Sequence, residues 1–253
     1  MNEIYSITLA LSTAVAAGLV GSFALMKRMS LAGDTISHIA LPGIGIAIAT
    51  HVNPLFGAGV ALLIGTLFIW RLQESRSMTA DAAIGVVFTA AIAVGVLLTT
   101  KEELIEALFG GFEGMTLQSF GFGLAAVLAI IGFIFKFRNQ LIVATFSPEL
   151  AEANGLSVNR LNLYYLLAFS LTILLGLRFL GAILVGALII VPAAIGRQLT
   201  HTLGVFLTAS CIASVLSVAL GFLISFQFGT EVGPTIVATS AALFGLSLFK
   251  KKD

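Results

Sequence analysis

The sequence predicts an all-α membrane protein, a polytopic bundle of about nine transmembrane helices, with eight as the alternative count. Hydrophobic residues make up 58% of the 253 residues and charged residues only 10%, and the mean hydropathy is +1.09. A soluble domain carries about a quarter charged residues. The apolar residues also fall into stretches close to the length of about 20 residues that crosses a bilayer as a helix.

Charged residues and Pro/Gly clusters mark the ends of the predicted spans. The second span is the least lipid-like, because Pro42 and Gly43 interrupt it. A broken helix is tolerated at membrane depth where it lines a cavity or packs inside protein. No repeat or linker divides residues 1–253, so we predict one domain. The spans lie near residues 4–26, 34–50, 54–72, 81–100, 116–137, 160–177, 179–197, 202–227 and 232–249.

Four pairs of small residues have the spacing that lets membrane helices approach closely. Since the chain contains 26 glycines, such pairs also arise by chance, and they predict a tightly packed bundle without fixing any contact. The pairs are Ala17 with Gly21, Ala61 with Gly65, Ala182 with Gly186, and Ser217 with Gly221.

The basic residues predict the orientation, because cytoplasmic loops carry the excess of Lys and Arg. With alternating spans, one side collects only Lys101 and Arg178. We therefore expect the N-terminus outside and the C-terminus in the cytoplasm. The other side collects Lys27, Arg28, Arg71, Arg76, Lys136, Arg138, Arg160, Arg197, Lys250, Lys251 and Lys252.

Several function classes are excluded or disfavoured. No basic cluster typical of nucleic-acid binding occurs. The single cysteine, Cys211, cannot form a disulfide framework or a cysteine metal site within one chain. The sequence has no phosphate-binding loop, so we expect no ATP hydrolysis by this chain itself. It also has no Gly-x-Ser-x-Gly or His-Glu-x-x-His motif, which disfavours an intramembrane hydrolase.

Asp34 and His38 form an ionisable pair within the apolar sequence. Four residues apart on a helix, they share one face, and a charged residue at membrane depth is a functional candidate because it is costly there. A carboxylate and an imidazole together suit a divalent transition metal. Alternatively, Asp34 caps a helix start through the amide of Ser37, and His38 is a polar contact between helices.

Two ligands fall short of the four usual for zinc. A symmetric homodimer would bring together two aspartates and two histidines. The other two histidines, His51 and His201, are predicted to be solvated loop residues.

Residues 147–156 predict a short capped helix on the cytoplasmic side. Ser147 is a good N-cap, Pro148 suits the first helical position, and Glu149 favours the positive end of the helix dipole. Asn154 and Gly155 supply a C-terminal stop. Such a helix is either a connector or a docking element.

Four stretches together resemble the metal-ion ABC importer permeases, the ABC-3 family. Residues 33–38 read Gly-Asp-Thr-Ile-Ser-His and are followed by Leu-Pro-Gly, like the second-span motif of that family. Residues 148–156 look like its coupling helix. Residues 181–194, from Gly-Ala-Ile-Leu to Pro-Ala-Ala, look like its strongest apolar block, and residues 233–237 resemble the start of its last span.

The resemblance implies an ABC importer permease fold, a permease homodimer, two cytoplasmic ABC ATPase subunits that use ATP, and an extracytoplasmic metal-binding protein. It implies transport of a divalent metal (zinc, manganese or iron), no permanently bound cofactor, and location in the bacterial cytoplasmic membrane. Asp34 and His38 match its metal-contacting pair. Pro42 and Gly43, which interrupt the second span beside this pair, are the predicted break in the pathway helix. The positions matching ATPase coupling are Pro148, Glu149, Leu150, Ala151, Asn154 and Gly155.

Two alternatives remain open: a permease for metal chelates such as siderophores, haem or cobalamin, and a proton-coupled secondary transporter.

The chain also departs from the family pattern. Ser147 stands where Asp is common, Gly229 and Glu231 replace an expected Asp and Pro, and Gly111 replaces a polar residue. These departures leave the outer gate and the choice of metal open.

Overall fold

A computed structural model describes residues 2–29, 31–74, 78–98 and 115–249. Every regular element within these ranges is a helix, which confirms the predicted all-α class. The helices are α1 (Asn2–Met26), α2 (Ala32–His38), α3 (Leu41–Ala49), α4 (Pro54–Glu74), α5 (Ala80–Leu98), α6 (Leu117–Phe146), α7 (Pro148–Ala153), α8 (Val158–Leu199), α9 (Leu203–Phe228) and α10 (Val232–Ser247).

Eight stretches of the described helices are long and apolar enough to cross a membrane. They comprise α1, α2 together with α3, α4, α5, α6, the two halves of α8, and α9. The last predicted span is α10, which has 16 residues and is shorter than the length of about 20 residues that spans an average bilayer. The described helices therefore favour the count of eight.

Two predicted spans, 160–177 and 179–197, form the single element α8. Its helical geometry is interrupted at Gly181, where φ is 70° and ψ is 174°, a region that only glycine occupies readily. A Cβ atom built on Gly176 would overlap Cγ2 of Val185. In a straight helix these residues would lie about 13 Å apart. The chain therefore reverses around Gly181, near the junction of the two apolar arms of α8, Val158–Arg178 and Leu180–Leu199.

The break in the second span lies earlier than predicted. Helix α2 ends at His38 and α3 begins at Leu41, which leaves the break at residues 39–40 instead of Pro42 and Gly43. Pro42 occupies the first turn of α3, where its missing N–H costs no helical hydrogen bond. The proline begins the second helix and does not end the first, so the predicted position of the break is wrong.

Helices α1 and α8 form the centre of the bundle. Helix α1 packs against α6, α8 and α9, while α8 also packs against α2, α4 and α10. Each of the four predicted small-residue pairs contributes a glycine to a close helix crossing. These crossings are Gly21 with Ile189, Gly65 with Ile39, Gly186 with Asp34, and Gly221 with Ile236.

Polar side chains join three helices at the end of the bundle that carries α7, hereafter the α7 end. Lys27 follows α1, and its Nζ donates to Oδ1 of Asn162 on α8 at 3.1 Å. Nδ2 of Asn162 donates to Oε1 of Gln73 on α4 at 2.7 Å. The ammonium also lies 5.1 Å from the ring centroid of Tyr165. Burial lowers the pKa of Lys27 from 10.5 to about 8.

We expect thermal stability to rise with pH between about 8 and 10.5, the range set by the pKa of Lys27 in the folded and unfolded chain. Within that range the unfolded chain binds more protons than the folded chain, so raising the pH favours folding. Thermal unfolding of the detergent-solubilised protein measures this effect. Lys27→Met should flatten the rise, and Lys136→Met, at an exposed position, should not. Equal slopes in the wild type and Lys27→Met would contradict the assignment.

Candidate functional site

Asp34 and His38 lie on the same face of α2, as their spacing predicts. Oδ1 of Asp34 is 3.8 Å from Nε2 of His38, which is too long for a direct hydrogen bond. The Asp34 side chain is 57% exposed and the His38 side chain 15% exposed. The carboxylate therefore stands at the surface of the single chain, with the imidazole half-buried behind it.

The alternative interpretation of Asp34 as a helix cap is wrong. The N-cap residue of α2 is Leu31, and no side chain caps this helix end. Asp34 is already inside the first turn of α2. The carboxylate is therefore not used to start the helix and is available for another role.

Two contacts with the second arm of α8 fix the position of α2. A Cβ atom built on Gly186 would lie 2.5 Å from the backbone nitrogen of Asp34, so the two backbones touch. Oγ of Ser37 lies 2.6 Å from the carbonyl oxygens of both Ala182 and Asp34, and its one proton bonds one of them at a time. Because Ala182 follows Gly181, the reversal of α8 positions the helix that carries the Asp34–His38 pair.

The imidazole of His38 lies against an aromatic ring and keeps one nitrogen without a fixed partner. Its ring centroid is 5.7 Å from that of Phe88 on α5. Nδ1 is buried and has no hydrogen-bond partner in the described part of the chain. Buried polar atoms are nearly always paired. The other ring nitrogen, Nε2, is the one that faces the Asp34 carboxylate, so it is the nitrogen that could share a ligand with Asp34.

The separation of Asp34 and His38 is compatible with a shared metal ion. Two ligand atoms at about 2.1 Å from one ion lie no more than about 4.2 Å apart, and the observed 3.8 Å is within that limit. Within the described ranges, no group of three or more His, Cys, Asp or Glu side chains could hold a metal. The described residues of one chain thus supply two ligands of this kind.

Pro42 and Gly43 line a different, apolar region and do not belong to the Asp34–His38 pair. Both line a cavity of about 530 Å³ between α3, α4 and α5, whose surface is almost entirely apolar and does not include Asp34 or His38. Gly43 permits a close approach of α3 to Gly57 of α4. A packing role therefore accounts for Gly43.

The other two histidines are exposed, as predicted for loop residues. His51 follows α3 with φ of 55°, and His201 lies between α8 and α9. Neither residue belongs to a metal-binding cluster among the residues that the structure describes.

The short helix predicted within residues 147–156 is present as α7. Backbone hydrogen bonds define its C-terminal end, whereas no side chain caps its N-terminal end. Ser147 is the N-cap residue, but its side chain makes no capping hydrogen bond, so that part of the prediction is wrong. Gly155 has φ of +77°. Its N–H bonds the carbonyl of Glu152 at 2.9 Å, and the N–H of Leu156 bonds that of Ala151 at 3.0 Å. These two bonds form a Schellman motif.

Helix α7 presents a mixed polar and apolar surface. Pro148 and Glu149 are exposed, the Leu150 side chain is exposed, and Ala151 is buried. Nδ2 of Asn154 donates to the carbonyl of Leu150 at 2.7 Å. One face of α7 is thus anchored to the bundle and the other is open.

One of the departures from the family pattern, Gly229, has a structural role. Gly229 ends α9 with φ of 65°, a conformation that favours glycine. Glu231 is the N-cap residue of α10 and makes no side-chain capping bond. Gly111, and the basic residues Arg76, Lys101 and Lys250 to Lys252, lie outside the described residues.

Comparison with known proteins decides the family. Residues 3–251 match the model of the ABC 3 transport family. The chain belongs to this family. It is 30% identical to the high-affinity zinc uptake system membrane protein ZnuB of Haemophilus influenzae, covering 92% of this chain and 91% of the relative. It is 31% identical to the manganese transport system membrane protein MntC of Halalkalibacterium halodurans, covering 96% and 85%.

The fold of this ABC 3 family member is similar to that of a solved structure. The structure is PsaBC from Streptococcus pneumoniae in complex with Fab, with a TM-score of 0.83 and 28% identity, covering 97% of this chain and 90% of that chain. Together with the eight apolar stretches, this makes the protein a multi-pass integral membrane protein of the bacterial inner membrane. It is a transport component of an ABC system.

Proposed function

We propose that this family member is the permease subunit of an ATP-driven importer for a divalent transition-metal ion, with zinc, manganese and iron as the candidates. The Asp34–His38 pair carries the proposal. Its two ligand atoms, one oxygen and one nitrogen, stand 3.8 Å apart on a membrane helix. The names of the relatives, a zinc uptake protein and a manganese transport protein, support this class of substrate.

The exposure of Asp34 supports a polar pathway at this face. An ionised carboxylate facing lipid at the centre of a helix costs about 2.5–3.5 kcal/mol. A side chain that is 57% exposed therefore requires water or another polar surface in front of it. A second copy of the chain supplies this surface in our proposal, and the two copies together provide two Asp34 and two His38 side chains, the four ligands that zinc usually takes.

Weak metal binding is part of the mechanism. A transported ion must enter its site and also leave it, so a fully ligated deep site would trap the ion. The pair holds the metal briefly during alternating access, and closure of the ATPase subunits drives the change between the two access states.

We place the α7 end in the cytoplasm, where α7 docks on the ABC ATPase that hydrolyses ATP. The excess of basic residues at this side supports the orientation. The open face of α7, with Glu149 and Leu150 exposed, supports docking. An extracytoplasmic metal-binding protein delivers the ion to the opposite side of the bundle.

Substituting Gly155 tests the docking role of α7. Gly155→Pro removes an N–H that bonds Glu152 and forces φ to about −65°, so the end of α7 is distorted. We expect assembly with the ATPase to remain partly intact, while ATP hydrolysis is uncoupled from transport. Gly155→Asn is the matched control, because Asn tolerates the left-handed conformation. Normal transport by a well-expressed Gly155→Pro variant would count against docking.

Uptake by cells tests the proposed function. Cells carrying this chain with its cognate ATPase and binding protein are given radiolabelled zinc, manganese or iron in separate assays. We expect one of these ions to accumulate, and only when the ATPase is active. Uptake without any ATPase would indicate a proton-coupled transporter instead. Accumulation of a metal chelate alone, unaffected by Asp34→Ala, would indicate a chelate permease.

A further inference from the structure

A basic cavity lies at the α7 end, separate from the Asp34–His38 pair. It has a volume of about 430 Å³ and is lined by residues from four helix ends. Arg28, Arg197 and His201 contribute basic side chains, and none of the described lining residues is acidic. Its volume is within the range of about 300–1,000 Å³ that is typical of small-ligand sites.

The cavity lies at the boundary of the membrane. The span of α1 ends at Met26, the second arm of α8 ends at Leu199, and the span of α9 begins at Leu203. Met26 and Leu203 both line the cavity. Phospholipid phosphates lie at this depth, and basic pockets between helices on the cytoplasmic side bind anionic lipid headgroups.

The cavity also has an apolar part, which can contact the acyl chains of a lipid. Leu25, Phe146, Leu203 and Phe206 line the cavity together with the basic residues, and the Phe146 side chain is 68% exposed. A soluble anion would gain nothing from these side chains. A lipid would place its phosphate between the arginines and its acyl chains along the apolar side.

The backbone of Arg28 is held in an unfavourable conformation beside the cavity. Arg28 has φ of 59°, a left-handed geometry that is unfavourable for a residue other than glycine. Its N–H bonds the carbonyl of Leu25 at 3.2 Å, and the N–H of Met29 bonds that of Ala24 at 2.9 Å. This arrangement usually has glycine at the position of Arg28. Strained residues cluster at functional sites, and here the strained residue lines the cavity.

We propose that this cavity binds the headgroup of an anionic phospholipid from the leaflet at the α7 end. The guanidinium groups of Arg28 and Arg197 hold the phosphate through paired N–H donors, the geometry in which arginine binds phosphate most strongly. The first turn of α9 adds to the positive field, and the imidazole of His201 offers an N–H donor. Since Phe146 immediately precedes Ser147 and α7, the bound lipid supports the base of the proposed docking helix.

Native mass spectrometry of the purified permease–ATPase complex tests this proposal. The complex is equilibrated in mixed micelles that contain equal amounts of phosphatidylglycerol and phosphatidylcholine, and the bound lipids are counted. We expect the wild type to retain phosphatidylglycerol selectively. Each arginine removed should reduce this retention about fivefold, the effect of one basic residue at a membrane surface.

The variant Arg28→Gly with Arg197→Gln removes both guanidinium groups. Glycine relieves the backbone strain at residue 28, and Arg197 is exposed, so we expect the variant to fold like the wild type. The matched control, Arg71→Gln with Arg160→Gln, removes the same charge from exposed positions at the same end of the bundle. The control should retain the lipid like the wild type. Equal retention of both lipids by the wild type, or unchanged selectivity in Arg28→Gly with Arg197→Gln, would overturn the proposal.

Two further measurements distinguish a lipid from a soluble phosphate and from a protein contact. Glycerol 3-phosphate carries the phosphate without acyl chains, and we expect it to compete only weakly with phosphatidylglycerol. Equal competition would make a soluble phosphate the ligand and overturn the lipid assignment. Loss of the ATPase from Arg28→Gly with Arg197→Gln, without lipid selectivity in the wild type, would make the cavity a protein contact and would also overturn it.

Discussion

Accumulation of the transported metal is expected to fall at least about tenfold in Asp34→Ala and in His38→Ala, the effect of losing about 1.4 kcal/mol of binding. Each substitution removes one of the two ligand atoms that lie 3.8 Å apart. Because Asp34 does not cap α2, its removal should leave the helix and the amount of protein in the membrane unchanged. Radiolabel uptake, with the membrane content measured by immunoblot, gives both quantities.

Matched controls show whether the loss of transport is specific to Asp34 and His38 or follows from removing any carboxylate or imidazole. Asp81 is also an acidic residue in the first turn of a helix and is exposed, so Asp81→Ala should transport normally. His51→Ala removes an exposed histidine outside the pair and should do the same. If Asp34→Ala and His38→Ala transport as well as these controls, the pair is not on the pathway, although the chain remains a member of its family.

A substitution that removes no polar group should also impair transport. In Gly186→Ala the new Cβ would lie 2.5 Å from the backbone nitrogen and 2.7 Å from Cα of Asp34. Backbone atoms cannot yield as a flexible side chain does, so α2 must move away from α8. We expect overpacking to cost about 1–3 kcal/mol of stability and metal uptake to fall with it. Thermal unfolding in detergent and radiolabel uptake measure the two effects.

Gly85→Ala is the control for this packing effect. Gly85 also lies within a membrane-spanning helix, but its Cβ would meet no atom within 4 Å. Alanine is favoured over glycine inside a helix by about 0.5–1 kcal/mol, so this variant should be at least as stable as the wild type. Transport by Gly186→Ala at the rate of Gly85→Ala would show that the position of α2 does not govern the pathway.

Composition and the length of the apolar stretches were sufficient to predict the fold class and most spans. The four-residue spacing also placed Asp34 and His38 on one face of α2, because helical periodicity is a local property. Small-residue spacing identified glycines at crossings such as that of Gly186 with Asp34, but not their partners, since a spacing rule describes only one of the two surfaces.

Other features depend on contacts between segments distant in the chain. The hydrogen bond from Ser37 to Ala182 joins residues 145 positions apart, and the sequence gives no sign of it. The reversal at Gly181 was expected near Arg178, because charge was used as the marker and the φ of 70° was not predictable. The break in the second span was assigned to Pro42, although proline also begins helices.

The most direct test is ATP-driven metal transport by proteoliposomes that contain only the permease, its ATPase and the binding protein. We predict that the metal moves only when ATP is supplied on the ATPase side. We also predict that Asp34→Ala and His38→Ala still assemble with an ATPase that hydrolyses ATP but move almost no metal. Wild-type transport without ATP, or transport by both variants at the wild-type rate, would contradict the account.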